Sequence, residues 1–142
     1  MTEFVLDASV AISWCFPGDP EEDTPYSRRV LSELIVSDAL VPEIWAFEIA
    51  NNIFVSRNKR KLINEQQVTE YLTLLKALPI RVELQPLWSN VELEAFARRW
   101  DLAAYDAAYL ALALRRGLPL ATSDAVLKRK AKDAGVEILG LH

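Results

Sequence analysis

Short apolar runs alternate with stretches of helical periodicity along the whole chain, and the runs are apolar on both faces. Phe4-Val5-Leu6, Ala39-Leu40-Val41 and residues 118–122 are the clearest examples. Strands separated by helices pair in parallel, and strands without a polar face are covered on both sides. The expected fold is therefore α/β, three-layer α/β/α, with a short central parallel sheet. Residues 3–7 read as the first strand and 8–15 as a short helix. A breaker-rich, acidic loop fills 16–25. Helical spacing resumes over 26–36, and 39–41 read as a second strand. Pro42 fits the first turn of the next helix, where its missing N–H costs nothing. That helix is expected to reach Arg57. Asn64 is a plausible cap for a helix to Leu78, and 79–84 alternate like a strand. Residues 87–100 and 102–116 read as helices, the second apolar nearly all round and stopped by Gly117 and Pro119. Asp101 reads as its cap. Strand, helix and strand follow over 118–122, 124–134 and 136–139.

The 142 residues suit one domain spanning 1–142, with no repeat and no linker. No apolar run approaches the ~18 residues that cross a membrane, and the N-terminus has no signal-peptide pattern. One cysteine, Cys15, and one histidine, His142, exclude a Cys/His zinc site and make a Ser-His-Asp mechanism very poorly supported. A cytoplasmic protein is expected. The formal net charge of -4 opposes simple electrostatic binding of nucleic acid. It does not oppose an enzyme that meets phosphates through bound cations.

Four carboxylates stand in unusual places. Asp7 ends the first strand, where ligands gather in open α/β sheets. It could equally cap the helix that follows. Asp124 repeats the arrangement after Leu120-Ala121-Thr122-Ser123. Glu48 lies among Ile44, Trp45, Asn51 and Asn52 on a helix with no Lys or Arg within four positions. Asp106 lies among Leu102, Ala103, Tyr109 and Leu110. A parallel sheet that sets its strand ends side by side would bring these acids into one cleft. Like charges at such range repel, and a hard cation such as Mg²⁺ or Mn²⁺ relieves them. Ser9 and Thr122 are small hydroxyls placed to orient Asp7, Asp124 or a water. Arg57, Lys59, Arg60 and Lys61 are either a solvated helix end or guides for a polyanion. Trp14, Trp45 and Trp88 are expected in the core.

Leu6-Asp7-Ala8-Ser9, Pro42-Glu43 leading to Glu48, Tyr105-Asp106-Ala107-Ala108-Tyr109-Leu110-Ala111-Leu112-Ala113 and Ala121-Thr122-Ser123-Asp124 together resemble the PIN-domain family. The likeness is greatest to the VapC-like toxins of type II toxin–antitoxin pairs. It covers nearly the whole chain in the family's order and spacing. The resemblance implies an endoribonuclease with Asp7, Glu48, Asp106 and Asp124 as catalytic metal ligands for Mg²⁺ or Mn²⁺. Ser9 and Thr122 match the supporting hydroxyl positions. It also implies an RNA substrate, a cognate antitoxin and a homodimer. Two alternatives stay open. One is a catalytically inactive PIN-fold module that binds RNA or protein. The other is a phosphatase-like enzyme with Asp7 as nucleophile. The latter wants a second Asp two residues on, and the chain has Ser9 there.

Overall fold

The computed structural model describes residues 2–140, so His142 lies outside the described residues. The chain runs β1 (Thr2–Leu6), α1 (Ala8–Ser13), α2 (Pro25–Glu33), β2 (Ser37–Pro42) and α3 (Ile44–Phe54). A π-helical segment, Val55–Lys59, prolongs α3. Then come α4 (Glu65–Lys76), β3 (Ile80–Glu83), α5 (Leu87–Trp100), α6 (Ala104–Arg116), β4 (Leu120–Ala121) and α7 (Ala125–Asp133). The four strands form one parallel sheet in the order β3-β2-β1-β4. Parallel crossovers are right-handed. The β1–β2 and β2–β3 connections therefore lie on one face and the return from β3 to β4 on the other. There α6 packs against β1 and β2, completing the three layers.

The core follows the apolar pattern. Phe4, Val5 and Leu6 of β1 and Ala39, Leu40 and Val41 of β2 are buried, as are Tyr109, Leu110 and Leu112 of α6. Local caps agree with composition. Thr24 and Asn64 each form a reciprocal capping box with the residue three positions on. Among the described residues no helix is long and apolar enough to cross a membrane.

Several expectations fail in instructive ways. Pro42 does not open a helix. It ends β2, paired only on the β3 side opposite Glu83, so its missing N–H leaves no gap in the β1 ladder. The helix begins at Ile44. Asp101 does not cap α6. It ends α5 in the left-handed conformation (φ 52), which Asp tolerates, and the Leu102 N–H closes the turn onto the Ala97 carbonyl. Residues 136–139 form only an isolated bridge, Leu120 to Ile138, because β4 offers two residues to pair with. Helix α6 is not buried all round: Tyr105 and Leu114 face solvent. Trp14 and Trp45 are in the core, but Trp88 is 68% exposed.

Candidate functional site

The chain leaves β1 toward β2 and β3, then returns to the other side of β1 as β4. Such a reversal opens a crevice outside the carboxyl ends of the two flanking strands. Asp7 directly follows β1 and Thr122 directly follows β4. The Asp7 N–H bonds the Ala121 carbonyl at 2.9 Å, so the two strand ends are in register at the crevice.

Asp7 is buried, 3% exposed. Its Oδ2 accepts hydrogen bonds from Ser9 Oγ at 2.6 Å and from Thr122 Oγ1 at 2.7 Å. Ser9 Oγ accepts the Ser123 N–H at 3.1 Å, and Thr122 Oγ1 accepts the Asp124 N–H at 3.0 Å. The two hydroxyls therefore tie the ends of β1 and β4 together and fix the Asp7 carboxylate. Asp7 occupies the N-cap position of α1, where no side-chain hydrogen bond of good capping geometry forms; its Oδ2 is held instead by the Ser9 and Thr122 hydroxyls. Asp124 does cap: its Oδ1 accepts the Leu127 N–H at 2.8 Å. Its other oxygen makes no hydrogen bond among the described residues.

Glu48 is half-buried on α3, and its Oε1 accepts the Tyr109 hydroxyl at 2.7 Å. Asp106, in the first turn of α6, is also half-buried. Electrostatics link these acids. Burial pushes the Asp7 carboxyl above its usual range, the Ser9 and Thr122 hydroxyls oppose this, and the charge of Asp124 adds to it. Burial raises Glu48 against the Tyr109 hydrogen bond, and the charges of Asp7 and Asp106 raise it further. Burial also raises Asp106, with Asp7 and Asp124 adding to it. Burial and then the Glu48 carboxylate hold the Tyr109 hydroxyl far above its usual range, so it stays a donor.

Ion pairs among the described residues lie elsewhere, as in Arg28–Asp23, Arg57–Glu65 and Arg115–Glu83, and none engages the four acids. The cluster is thus all oxygen, negatively charged and uncompensated, which suits a hard divalent cation. Among the described residues, no three His, Cys, Asp or Glu side chains are disposed to hold an ion directly. Mg²⁺ commonly keeps several waters and uses only one or two carboxylates. The donor set fits an ion held partly through water rather than a closed protein cage.

Tyr109 was not among the residues singled out from sequence. A tyrosine between Ala108 and Leu110 looks like core, and its ring is indeed fully buried. Its signal was spacing. It sits three residues after Asp106, hence on the same helix face.

The family model described as PIN domain matches residues 4–133. No curated protein matches the chain. Several solved structures do. PAE2754 from Pyrobaculum aerophilum is 22% identical, with 91% of this chain and 86% of that one covered and a TM-score of 0.61. FitAcB from Neisseria gonorrhoeae is 22% identical, with 95% of each chain covered and a TM-score of 0.60. A domain of a functionally unknown protein from Methanocaldococcus jannaschii is 17% identical, covers 100% of this chain and 92% of its own, and has a TM-score of 0.56. At these identities the shared property is the fold.

Proposed function

This chain belongs to the PIN-domain family, and from that membership we propose that it is a metal-dependent endoribonuclease, the toxin of a toxin–antitoxin pair. The observation that carries the proposal is the cluster of Asp7, Glu48, Asp106 and Asp124: burial and then neighbouring acids raise the carboxyls of Asp7, Glu48 and Asp106, and among the described residues no cationic side chain pairs with any of the four. These four would hold Mg²⁺ or Mn²⁺. Such a cation supplies an activated water as nucleophile and neutralises charge building on a phosphate.

The chain's own residues supply the rest. Ser9 and Thr122 hold Asp7 by one oxygen. Tyr109 holds Glu48 by one oxygen. Each carboxylate is thereby oriented before any substrate arrives, which is what electrostatic preorganisation requires. The partners in this reading are RNA, a cognate antitoxin that covers the acidic crevice and a second copy of the chain, in the cytoplasm.

The test is cleavage of RNA in Mg²⁺ by the parent protein beside Asp7→Asn and Asp106→Asn. The parent cleaves and the variants lose at least 100-fold, a typical loss when one preorganised electrostatic group is removed. Equal cleavage by all three overturns the proposal. A PIN-fold binding module would also lack three ligands disposed to hold an ion. Calorimetric titration with Mn²⁺ separates the two, since only the nuclease binds the ion through Asp7 and Glu48.

A further inference from the structure

Four cations follow α3 in the run Arg57-Asn58-Lys59-Arg60-Lys61, and the structure separates three of them. Arg57 pairs with Glu65 at 3.1 Å. The Lys59 ammonium sits over the Phe54 ring, 5.5 Å from its centroid. Arg60 forms no ion pair among the described residues. It lines a groove of about 450 Å³ that Glu48, Asn51, Ser56 and Phe16 also line. One groove therefore runs from Glu48, one member of the acid cluster, to a guanidinium that forms no ion pair among the described residues.

The π-helical segment produces this alignment. In a continuous α-helix of 3.6 residues per turn, residue 59 would follow Glu48 by about three turns and share its face, while residue 60 would lie about a third of a turn away. The Arg60 N–H instead bonds the Val55 carbonyl at 2.8 Å, five residues back. The wider turn takes up one extra residue, and Arg60 comes onto the Glu48 face in place of Lys59. Single π turns occur frequently at functional sites.

The facing wall carries Asp19, Glu21 and Glu22. A duplex, with phosphates on both sides, is repelled by that wall. A single strand can turn its phosphates toward α3 and its bases toward the loop. There carboxylates accept from base amino groups and the Phe16 ring offers a stacking surface. We propose that this groove is the path of a single RNA strand leaving the acid cluster, with Arg60 holding the phosphate of a flanking nucleotide. The proposal rests on the ribonuclease reading above. Twelve residues of helix span roughly 18 Å, so Arg60 meets a phosphate beyond the reacting one. Its contribution belongs in KM, not kcat.

The test uses single-stranded RNAs of graded length. Binding is measured to the inactive Asp7→Asn protein with and without Arg60→Ala, and cleavage by Arg60→Ala alone. Arg60→Ala weakens binding of long strands about tenfold and leaves dinucleotides unaffected. It lowers the salt slope by about 0.7, as expected for one phosphate on a single strand. KM rises and kcat holds. Arg57→Ala, of equal charge but paired with Glu65, changes binding less than about twofold. Equal losses from Arg57→Ala and Arg60→Ala, or a loss independent of length, overturn the proposal. So does unchanged RNA affinity in Arg60→Ala while the parent still binds and cleaves, which would leave the groove to a protein segment. A parent that neither binds nor cleaves RNA in Mg²⁺ overturns the ribonuclease reading along with this one.

Discussion

The Tyr109 hydroxyl donates to Glu48 Oε1 at 2.7 Å across the boundary between α6 and α3. Tyr109 is fully buried and sits one helical turn from Asp106. The helix that carries Asp106 therefore also supplies the donor that holds Glu48. Tyr109→Phe keeps the ring and removes only the donor. Stability should fall by about 1 kcal/mol, the usual net worth of a hydrogen bond. Mn²⁺ affinity should fall several-fold, because Glu48 loses its orientation. Titration calorimetry on the double-mutant cycle with Glu48→Gln checks the assignment. In the Glu48→Gln background, Tyr109→Phe should have almost no further effect on Mn²⁺ binding, and full additivity would disprove the coupling.

Asp7 presents a conflict between folding and chemistry. Its charge is buried and lies near Glu48, Asp106 and Asp124. In Asp7→Asn the amide oxygen can still accept from Ser9 and Thr122, while the charge is gone. The metal-free variant should melt roughly 3–6 °C above the parent, the scale of a 1–2 kcal/mol gain in a chain this long, while cleaving no RNA. Such trade-offs mark functional sites. Differential scanning calorimetry in EDTA decides it, and a lower melting temperature for the variant would remove the cluster strain.

The same shifts set a pH dependence. Folding raises the carboxyls of Asp7 and Asp106 above 3.8 and that of Glu48 above 4.5. Between those values and the raised ones, the folded protein holds more protons than the unfolded chain, so stability falls as pH rises. The metal-free protein should lose stability from about pH 4 upward, against the trend expected for salt-bridged carboxylates. Saturating Mg²⁺ should flatten the curve, because an ion bound only to the folded form favours the ionised cluster. Urea midpoints across pH 4–8, with EDTA or Mg²⁺, give the slope directly. A metal-free curve that rises through this range contradicts the assignment.

The apolar runs and helical periods made the layered fold legible, because burial on two faces leaves a local mark. The failures sit where pairing at long range decides. Pro42 reads as a helix start until β3 pairs opposite it, and Ile138 reads as strand until β4 proves two residues long. Each acid was visible as a charge in an apolar setting, and the reversal between β1 and β4 puts Asp7 beside Thr122. The Tyr109 donor left only its spacing from Asp106 as a mark, and the Arg60 alignment left none. A buried tyrosine looks like core, and a π turn has no sequence period of its own.

Trp88 is the sharpest departure from the expected core, and it does not stand alone. Leu84, just after β3, and Leu87, Trp88 and Val91 at the start of α5 are between 53% and 72% exposed. Monomers rarely present so many large apolar side chains together. Were this face to seat the second copy named in the proposed function, the indole would be buried as an interface anchor. Light scattering after size exclusion should give a dimer at micromolar concentration. Trp88→Glu should give a monomer with unchanged far-ultraviolet circular dichroism, since an exposed indole contributes little to the fold. A parent that stays monomeric at about 100 μM, where a micromolar Kd would leave most chains paired, removes the second copy from this face.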